Sequence, residues 1–310
     1  MQRVKRFTHK QDLLLTTLKR SIDMKKTVLL LALLSTFNAY AKAPLPAKVT
    51  GLKMPESCIQ AKDGSIYISE IGEFGKDGDG QISKLDKNGK LSVFATGMDD
   101  PKGLAMIGDK LYVADKTRVL EINKDGTWQV YGAQMAFPST PVFLNDLVAD
   151  KMGNLYVSDS GTLKDGGQIF KIAKGGTITL VVDSKNPDIL APNGLLMDGR
   201  NNLLEIDFES GILYRVNLAT GATTKVAEGF GGGDGLVRTE SGKIFISDWK
   251  NGKIYEAVAG KAQLIKEGYK ASADITLMQN GKVLMVPDMK AGELDFIDIK
   301  WLNLNYVKPR

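Results

Sequence analysis

The sequence predicts an all-β fold, a six-bladed β-propeller with four antiparallel strands in each blade. A short phrase recurs six times: an apolar residue, an anchor that is Tyr, Phe or Leu, two more strand-forming residues and an acid close behind. A repeat of about 40 to 50 residues, rich in short strands and turns, is typical of propeller blades. The anchors, spaced by 45, 44, 48, 41 and 39 residues, are Tyr67, Tyr112, Tyr156, Leu204, Phe245 and Leu284.

The first repeat shows how one blade is built. Its predicted strands are residues 57–61, 66–69, 81–85 and 91–96. The turns inside it carry Asp63-Gly64 and Asn88-Gly89, and such pairs supply the positive backbone angles that tight hairpins need. No helical periodicity follows residue 42. The whole of residues 42–310 is therefore predicted to be one propeller domain.

The two ends of the domain are expected to meet in one blade. Thr50-Gly51 with Pro55 matches Thr96-Gly97 with Pro101, so the residues before the first blade resemble an outermost strand. We expect residues 47–50 to complete the last blade and to protect the open edges of the ring. An N-terminal arm on the surface is the alternative.

Residues 1–41 read as a leader. Met24-Lys25-Lys26, an apolar run over residues 27–34 and Ala39-Tyr40-Ala41 form a secretory signal peptide over residues 24–41, cleaved near Ala41. The apolar run is shorter than the roughly 20 residues that span a bilayer. We expect a periplasmic or secreted protein without a membrane span, and either Met1 or Met24 as its start. A cytoplasmic or inner-membrane leader is the alternative.

The composition after the leader excludes several classes of function. It has 33 basic and 34 acidic residues, so the net charge is about minus one and a nucleic-acid partner gains no electrostatic support. The only histidine, His9, belongs to the leader, which excludes a Ser-His-Asp triad and a histidine-ligated zinc. Cys58 is the only cysteine, so it forms no intrachain disulfide, and we expect it to be buried.

A second pattern lies eleven residues before the anchors. Four repeats place an oxygen-bearing side chain there: Glu56, Asn145, Asn193 and Asp234. Lys102 and Asp274 lie one residue out of step in the other two repeats. Equivalent positions in a ring of blades converge on one axis, and carboxylates with amide oxygens suit a hard cation. Calcium is the expected ion, with magnesium and manganese as alternatives.

Four short segments surround these positions, in this order along the chain: Pro55-Glu56-Ser57, Leu144-Asn145-Asp146, Pro192-Asn193-Gly194 and Asp234-Gly235-Leu236. In order and spacing they resemble the senescence-marker protein/gluconolactonase family of six-bladed propellers. The resemblance implies that Glu56, Asn193 and Asp234 bind a divalent metal and that Asn145 contacts the metal or the substrate. It also implies lactone hydrolysis. Sugar-lactone hydrolases of the family often carry Arg where this chain has Phe143, which leaves the polarity of the substrate open.

The predicted function is a metal-dependent lactonase or esterase, in which metal-activated water opens a cyclic ester. Asp234 is the predicted proton acceptor and catalytic residue, and Asp146 is a second candidate base. Lys102 is a candidate substrate contact. A phosphorus-ester hydrolase using the same ligands and a non-catalytic propeller that binds a periplasmic ligand or protein remain as alternatives. The expected partner is a small ester or lactone, and the expected state is a monomer.

Overall fold

The computed structural model describes residues 46–304, and the predicted signal peptide lies outside them. These residues form 24 β-strands, a 3-10 turn (Gln134–Ala136) and one short α-helix, α1 (Ile299–Leu304). The predicted all-β class is confirmed. Within the described range, no helix is both long enough and apolar enough to cross a membrane.

Three sheets each contain four consecutive strands in antiparallel order. Sheet 1 contains β2 (Pro55–Gln60), β3 (Ile66–Glu70), β4 (Gly80–Leu85) and β5 (Leu91–Met98). Sheet 2 contains β6 (Pro101–Ile107), β7 (Lys110–Asp115), β8 (Arg118–Ile122) and β9 (Trp128–Gly132). Sheet 3 contains β10 (Leu144–Ala149), β11 (Leu155–Asp159), β12 (Gln168–Ile172) and β13 (Ile178–Asp183). The strands predicted for the first repeat are found within about two residues of their predicted ends.

The next eight strands form one sheet in the order β14-β15-β16-β17-β21-β20-β19-β18. Its first half contains β14 (Pro192–Met197), β15 (Asn202–Asp207), β16 (Ile212–Asn217) and β17 (Thr223–Glu228). Its second half contains β18 (Gly233–Arg238), β19 (Ile244–Asp248), β20 (Lys253–Val258) and β21 (Lys261–Glu267). The halves are joined by one parallel pair, Glu228 with Lys261. Strand pairing in residues 46–304 therefore gives five sheets where the repeat predicted six.

The remaining sheet draws strands from both ends of the domain. It contains β22 (Thr276–Leu277), β23 (Val283–Asp288), β24 (Glu293–Asp298) and β1 (Lys48–Thr50). β1 runs antiparallel to β24, and Lys48 forms an ion pair of 2.6 Å with Glu293. The prediction that residues 47–50 complete the last blade is thus confirmed.

The core lies between successive groups of four strands. Five anchors are buried and Tyr67 is half-buried, so the recurring phrase marks the core; the buried anchors are Tyr112, Tyr156, Leu204, Phe245 and Leu284. One apolar cluster joins the last sheet to sheet 1 through Met285 and Cys58. Cys58 is buried and free, as expected.

The first strands of the successive groups pack side by side. Contacts run from β2 to β6, β10, β14, β18 and β22, and from β22 back to β2. The spacing is so close that a Cβ on Gly194 would lie 2.2 Å from the Asp234 carbonyl oxygen. The starts of these strands therefore come together around one channel.

Candidate active site

Strand pairing places the predicted donors at one equivalent position. In each of five hairpins, the residue before the donor pairs with the acid that ends the next strand, and a register shift follows. These pairs are Pro55 with Glu70, Pro101 with Asp115, Leu144 with Asp159, Pro192 with Asp207 and Gly233 with Asp248. Lys102 consequently shares the position of Glu56, Asn145, Asn193 and Asp234, and the expectation that it is out of step is wrong. The β6–β7 hairpin is one residue shorter than the others.

The recurring acids hold these positions in place. Asp115 accepts hydrogen bonds from the backbone N–H groups of Asp99 and Asp100, and Asp207 accepts them from Leu190 and Ala191. In the other repeats an equivalent carboxylate accepts a hydrogen bond from a backbone N–H at the same place. These carboxylates are Glu70, Asp159, Asp248 and Asp288. Each acid thus caps the backbone just before an innermost strand, which is the first strand of its group of four.

All five side chains line one cavity of about 240 Å³. Lys102 is 1% exposed, Glu56, Asn145 and Asn193 are each 3% exposed, and Asp234 is 4% exposed. The structure therefore brings these five predicted site residues together in a single cavity, and their side chains form what is called its floor below.

Three buried oxygen atoms on this floor have no hydrogen-bond partner among the described residues. They are Oε2 of Glu56, Oδ1 of Asn145 and Oδ1 of Asp234. Burial raises the pKa of Glu56 well above its usual range; Asp234 and Asp274 raise it further, whereas Lys102 opposes the change. Burial likewise raises the pKa of Asp234. Two crowded carboxyl groups in a dry site favour either protonation or a bound cation.

Ser160 fixes the orientation of the Asn145 amide. The Asn145 Nδ2 donates to Ser160 Oγ at 3.0 Å, and Ser160 Oγ donates to the Pro192 carbonyl at 2.8 Å. Because the nitrogen is engaged, the Asn145 oxygen is the atom left without a partner. Sequence reasoning missed Ser160, which directly follows the capping acid Asp159.

Lys102 supplies the positive charge on the cavity floor. Its Nζ donates to the Asp100 carbonyl at 3.0 Å and lies 4.2 Å from the centre of the Phe143 ring. Burial lowers the pKa of Lys102, and the Glu56 carboxylate opposes that change. The ammonium therefore lies against an aromatic face, and its charge compensates part of the negative charge of Glu56.

Asp146 and Asp274 belong to a second cavity, about 330 Å³, lined by later residues of the same innermost strands. Both Asp146 oxygens are occupied, because they accept the backbone N–H groups of Leu147 and Leu195, each at 2.6 Å. Asp274 accepts a hydrogen bond from Ser57 Oγ, and burial raises the pKa of Asp274 to about 7. Asp146 does not line the first cavity, so it is poorly placed as the second candidate base.

The wall of the first cavity also follows the repeat. Each capping acid is followed by a residue whose backbone N–H donates to a carbonyl just before an innermost strand. Phe208 donates to Ala191, two residues before Asn193, and Trp249 donates to Gly232, two residues before Asp234. In four repeats the residue after the capping acid is apolar and lines the cavity: Ile71, Phe208, Trp249 and Met289. Phe74, Phe143 and Leu163 complete the apolar wall. The four residues that follow a capping acid differ in type, so their constant position after the acid is the one sequence signal that could have identified them.

The cavity floor contains few carboxylates that could bind a metal ion. Across residues 46–304, no group of three or more His, Cys, Asp and Glu side chains is placed to hold a metal ion. Glu56 and Asp234 are the two acids on the floor, so a cation here would also need the amide oxygens of Asn145 and Asn193. Such mixed oxygen sets are typical of calcium sites.

The fold and the floor define a propeller-like protein with an oxygen-rich pocket at one end of its channel. No protein-family model matches the sequence. A solved structure with a provisional gluconolactonase assignment is similar with a TM-score of 0.64 at 18% identity, covering 82% of this chain and 93% of its own. The structure of streptogramin B lyase is similar with a TM-score of 0.56 at 14% identity, covering 78% of each chain. A chain of a nidogen–laminin complex is similar with a TM-score of 0.55 at 20% identity, covering 66% of this chain and 75% of its own. The resemblance suggested by the sequence is thus found again in the fold.

Proposed function

We propose that this protein is a divalent-cation-dependent hydrolase that opens a lactone or a related ester. The observation that carries the proposal is the set of three unpartnered, buried oxygens on Glu56, Asn145 and Asp234 in one cavity. A buried polar atom without a partner is costly, so a site that keeps three of them is suited to a ligand that satisfies them. The provisional gluconolactonase among the similar structures supports the same reaction class.

The donor chemistry fits a hard cation, calcium first and magnesium or manganese as alternatives. Glu56, Asn193 and Asp234 would hold it, and Asn145 would contact the cation or the substrate. When bound, the cation would act as a Lewis acid toward the ester carbonyl, a contribution of several kcal/mol. Lys102 reduces the negative charge of the two acids.

The residues of the chain account for the remaining steps. The Asp234 carboxylate has two oxygens, so one would hold the cation while the other accepts the proton of the attacking water. The water oxygen bonds to the carbonyl carbon, the ring C–O bond breaks and the proton passes to the leaving oxygen, which gives a hydroxy acid. The apolar wall limits the number of competing waters at the floor.

The proposal includes a six-bladed ring. Each half of the eight-stranded sheet contains four antiparallel strands, and one residue pair joins the halves. If each half is a blade, the described strands make six blades that meet along the innermost strands. A periplasmic or secreted location is proposed on the sequence of residues 24–41 alone.

The experiment is metal analysis of the purified mature protein, followed by thermal melting and a lactone panel. Calcium at about 100 times its Kd should stabilise the fold by about 2.7 kcal/mol. For a domain of this size that is a rise in melting temperature of about 5–10 °C. Glu56→Gln should remove the rise, and Asp234→Asn should also abolish lactone turnover.

The outcomes separate the competing classes. Turnover of phosphotriesters instead of lactones would identify the phosphorus-ester alternative. The absence of both calcium stabilisation and turnover would favour a non-catalytic binding propeller. Glu73→Gln is a suitable control, because this exposed acid lies outside the cavity lining.

A further inference from the structure

The cavity above the oxygen floor has a strongly apolar wall. Seven of its twelve lining residues are aliphatic, aromatic or Met, and the five polar ones are all on the floor. Four of the seven come from the position after the capping acid, and a backbone hydrogen bond ties each of them to the stretch just before an innermost strand. The apolar surface and the reactive groups are therefore fixed relative to each other.

The polar atoms of the wall are already engaged. Trp249 Nε1 donates to Met289 Sδ at 3.3 Å, and the Phe208 and Trp249 rings pack with their centres 6.2 Å apart. Lys250 Nζ lies 4.4 Å from the Phe208 ring centre and donates to the Phe208 carbonyl at 3.1 Å. The wall thus offers ring faces and a thioether, with no unengaged side-chain donor for a substrate hydroxyl.

The size of the cavity limits the ligand. A volume of about 240 Å³ lies just below the range of roughly 300–1,000 Å³ that drug-sized ligands occupy. One small ring with a short substituent fits this space. A polyhydroxylated ring would bury several hydroxyl groups against Ile71 and Met289 without partners, which is unfavourable.

We propose that the ligand is a small, uncharged lactone or ester with an alkyl or aryl substituent. This rests on the proposed hydrolase function: the carbonyl faces the floor of Glu56, Asn145 and Asp234, and the apolar body packs against Phe208 and Trp249. Apolar contact area then selects the substrate. Phe143, which lies against Lys102, belongs to the same apolar surface.

Turnover is tested with γ-butyrolactone, its ethyl and butyl derivatives and gluconolactone, with calcium present. The ratio kcat/KM should rise by about fourfold for each added methylene until the cavity is full. Gluconolactone should be at least about tenfold poorer than the butyl compound. A better rate with gluconolactone, or no dependence on chain length, would overturn the proposal.

Binding is tested separately with the matching γ-lactams, which resist hydrolysis, by titration calorimetry. The butyl lactam should bind the native protein, and Trp249→Gln should weaken it by about tenfold or more. Trp128→Gln is the matched control, because Trp128 lies on the outermost strand β9 and does not line the cavity. Trp249-dependent binding without any lactone turnover would refute the hydrolase function and leave the ligand class standing. If the butyl lactam fails to bind the native protein, or binds Trp249→Gln as tightly as Trp128→Gln, the proposed ligand class is wrong.

Discussion

Replacing Glu205 with Met should stabilise the protein. Glu205 is fully buried on β15, and neither of its carboxylate oxygens has a hydrogen-bond partner. Its register partner is Leu195. The equivalent positions of four other hairpins are apolar: Ile68, Val113, Val157 and Ile246. A buried polar group without a partner costs about 1–3 kcal/mol, so Glu205→Met should gain about that much.

The gain should depend on pH. Burial raises the pKa of Glu205 well above its usual range, and the Asp207 and Asp188 carboxylates add to the effect. Because the folded-state pKa is higher than the unfolded value of about 4.3, the contribution of Glu205 to stability is fully present below that pH. It is lost as the pH rises toward the folded-state pKa. The advantage of Glu205→Met should therefore grow between pH 4 and pH 8.

The assay is thermal unfolding across that pH range. At about 3 °C for each kcal/mol, the melting temperature of Glu205→Met should rise by about 3–9 °C near neutral pH. Glu121→Met is the contrasting control, because this acid, which is 3% exposed, is bound by Lys110 and Tyr112. Burial alone would raise the pKa of Glu121, but those hydrogen bonds outweigh it and the pKa is lowered, so the control should lose stability. An equal or lower melting temperature for Glu205→Met at pH 8 would refute the reasoning.

Three further changes test the cavity floor and the packing of the innermost strands. Ser160→Ala should let the Asn145 amide turn and lower lactone turnover by about tenfold, with a loss of stability of about 1–2 kcal/mol; turnover at the native level would show that Ser160 does not orient Asn145. Lys102→Met removes a positive charge from the floor and should tighten calcium binding by about tenfold, or about 1.4 kcal/mol, in titration calorimetry; weaker binding would contradict this. Gly235→Ala should lower the melting temperature clearly, because the new Cβ would lie 2.3 Å from Asp274 Oδ1; an unchanged melting curve would show that the strands can separate there.

The sequence predicted the parts of the fold that repeat. The anchors, the strand pairs, the capping acids and the pairing of β1 with β24 all follow from local patterns that each repeat carries. Lys102 was assigned to the wrong register, because counting from an anchor assumes hairpins of equal length. The single pair of Glu228 with Lys261, which merges two groups of strands, depends on tertiary packing that no local pattern encodes.

The sequence allows the residues of the cavity floor to be predicted, but not those of the cavity wall. Floor residues share a chemical type, so a common spacing exposes them. Four of the seven wall residues share only a position after the capping acid, and the same position carries Ser160 in another repeat. Glu205 directly follows the anchor Leu204, where the other repeats carry an apolar residue. This single departure from the recurring phrase does not reveal that the side chain is buried without a hydrogen-bond partner.

The pairing of β1 with β24 determines when, during synthesis and folding, the last sheet can form. The ion pair of Lys48 with Glu293 joins residues 245 apart in the sequence. During synthesis β1 is made first and β24 last, so β1 has no partner until almost the whole domain exists. Contacts of such long sequence separation slow folding. The ring can therefore close only after the full chain is available, and shortening the chain at either end would leave an open edge.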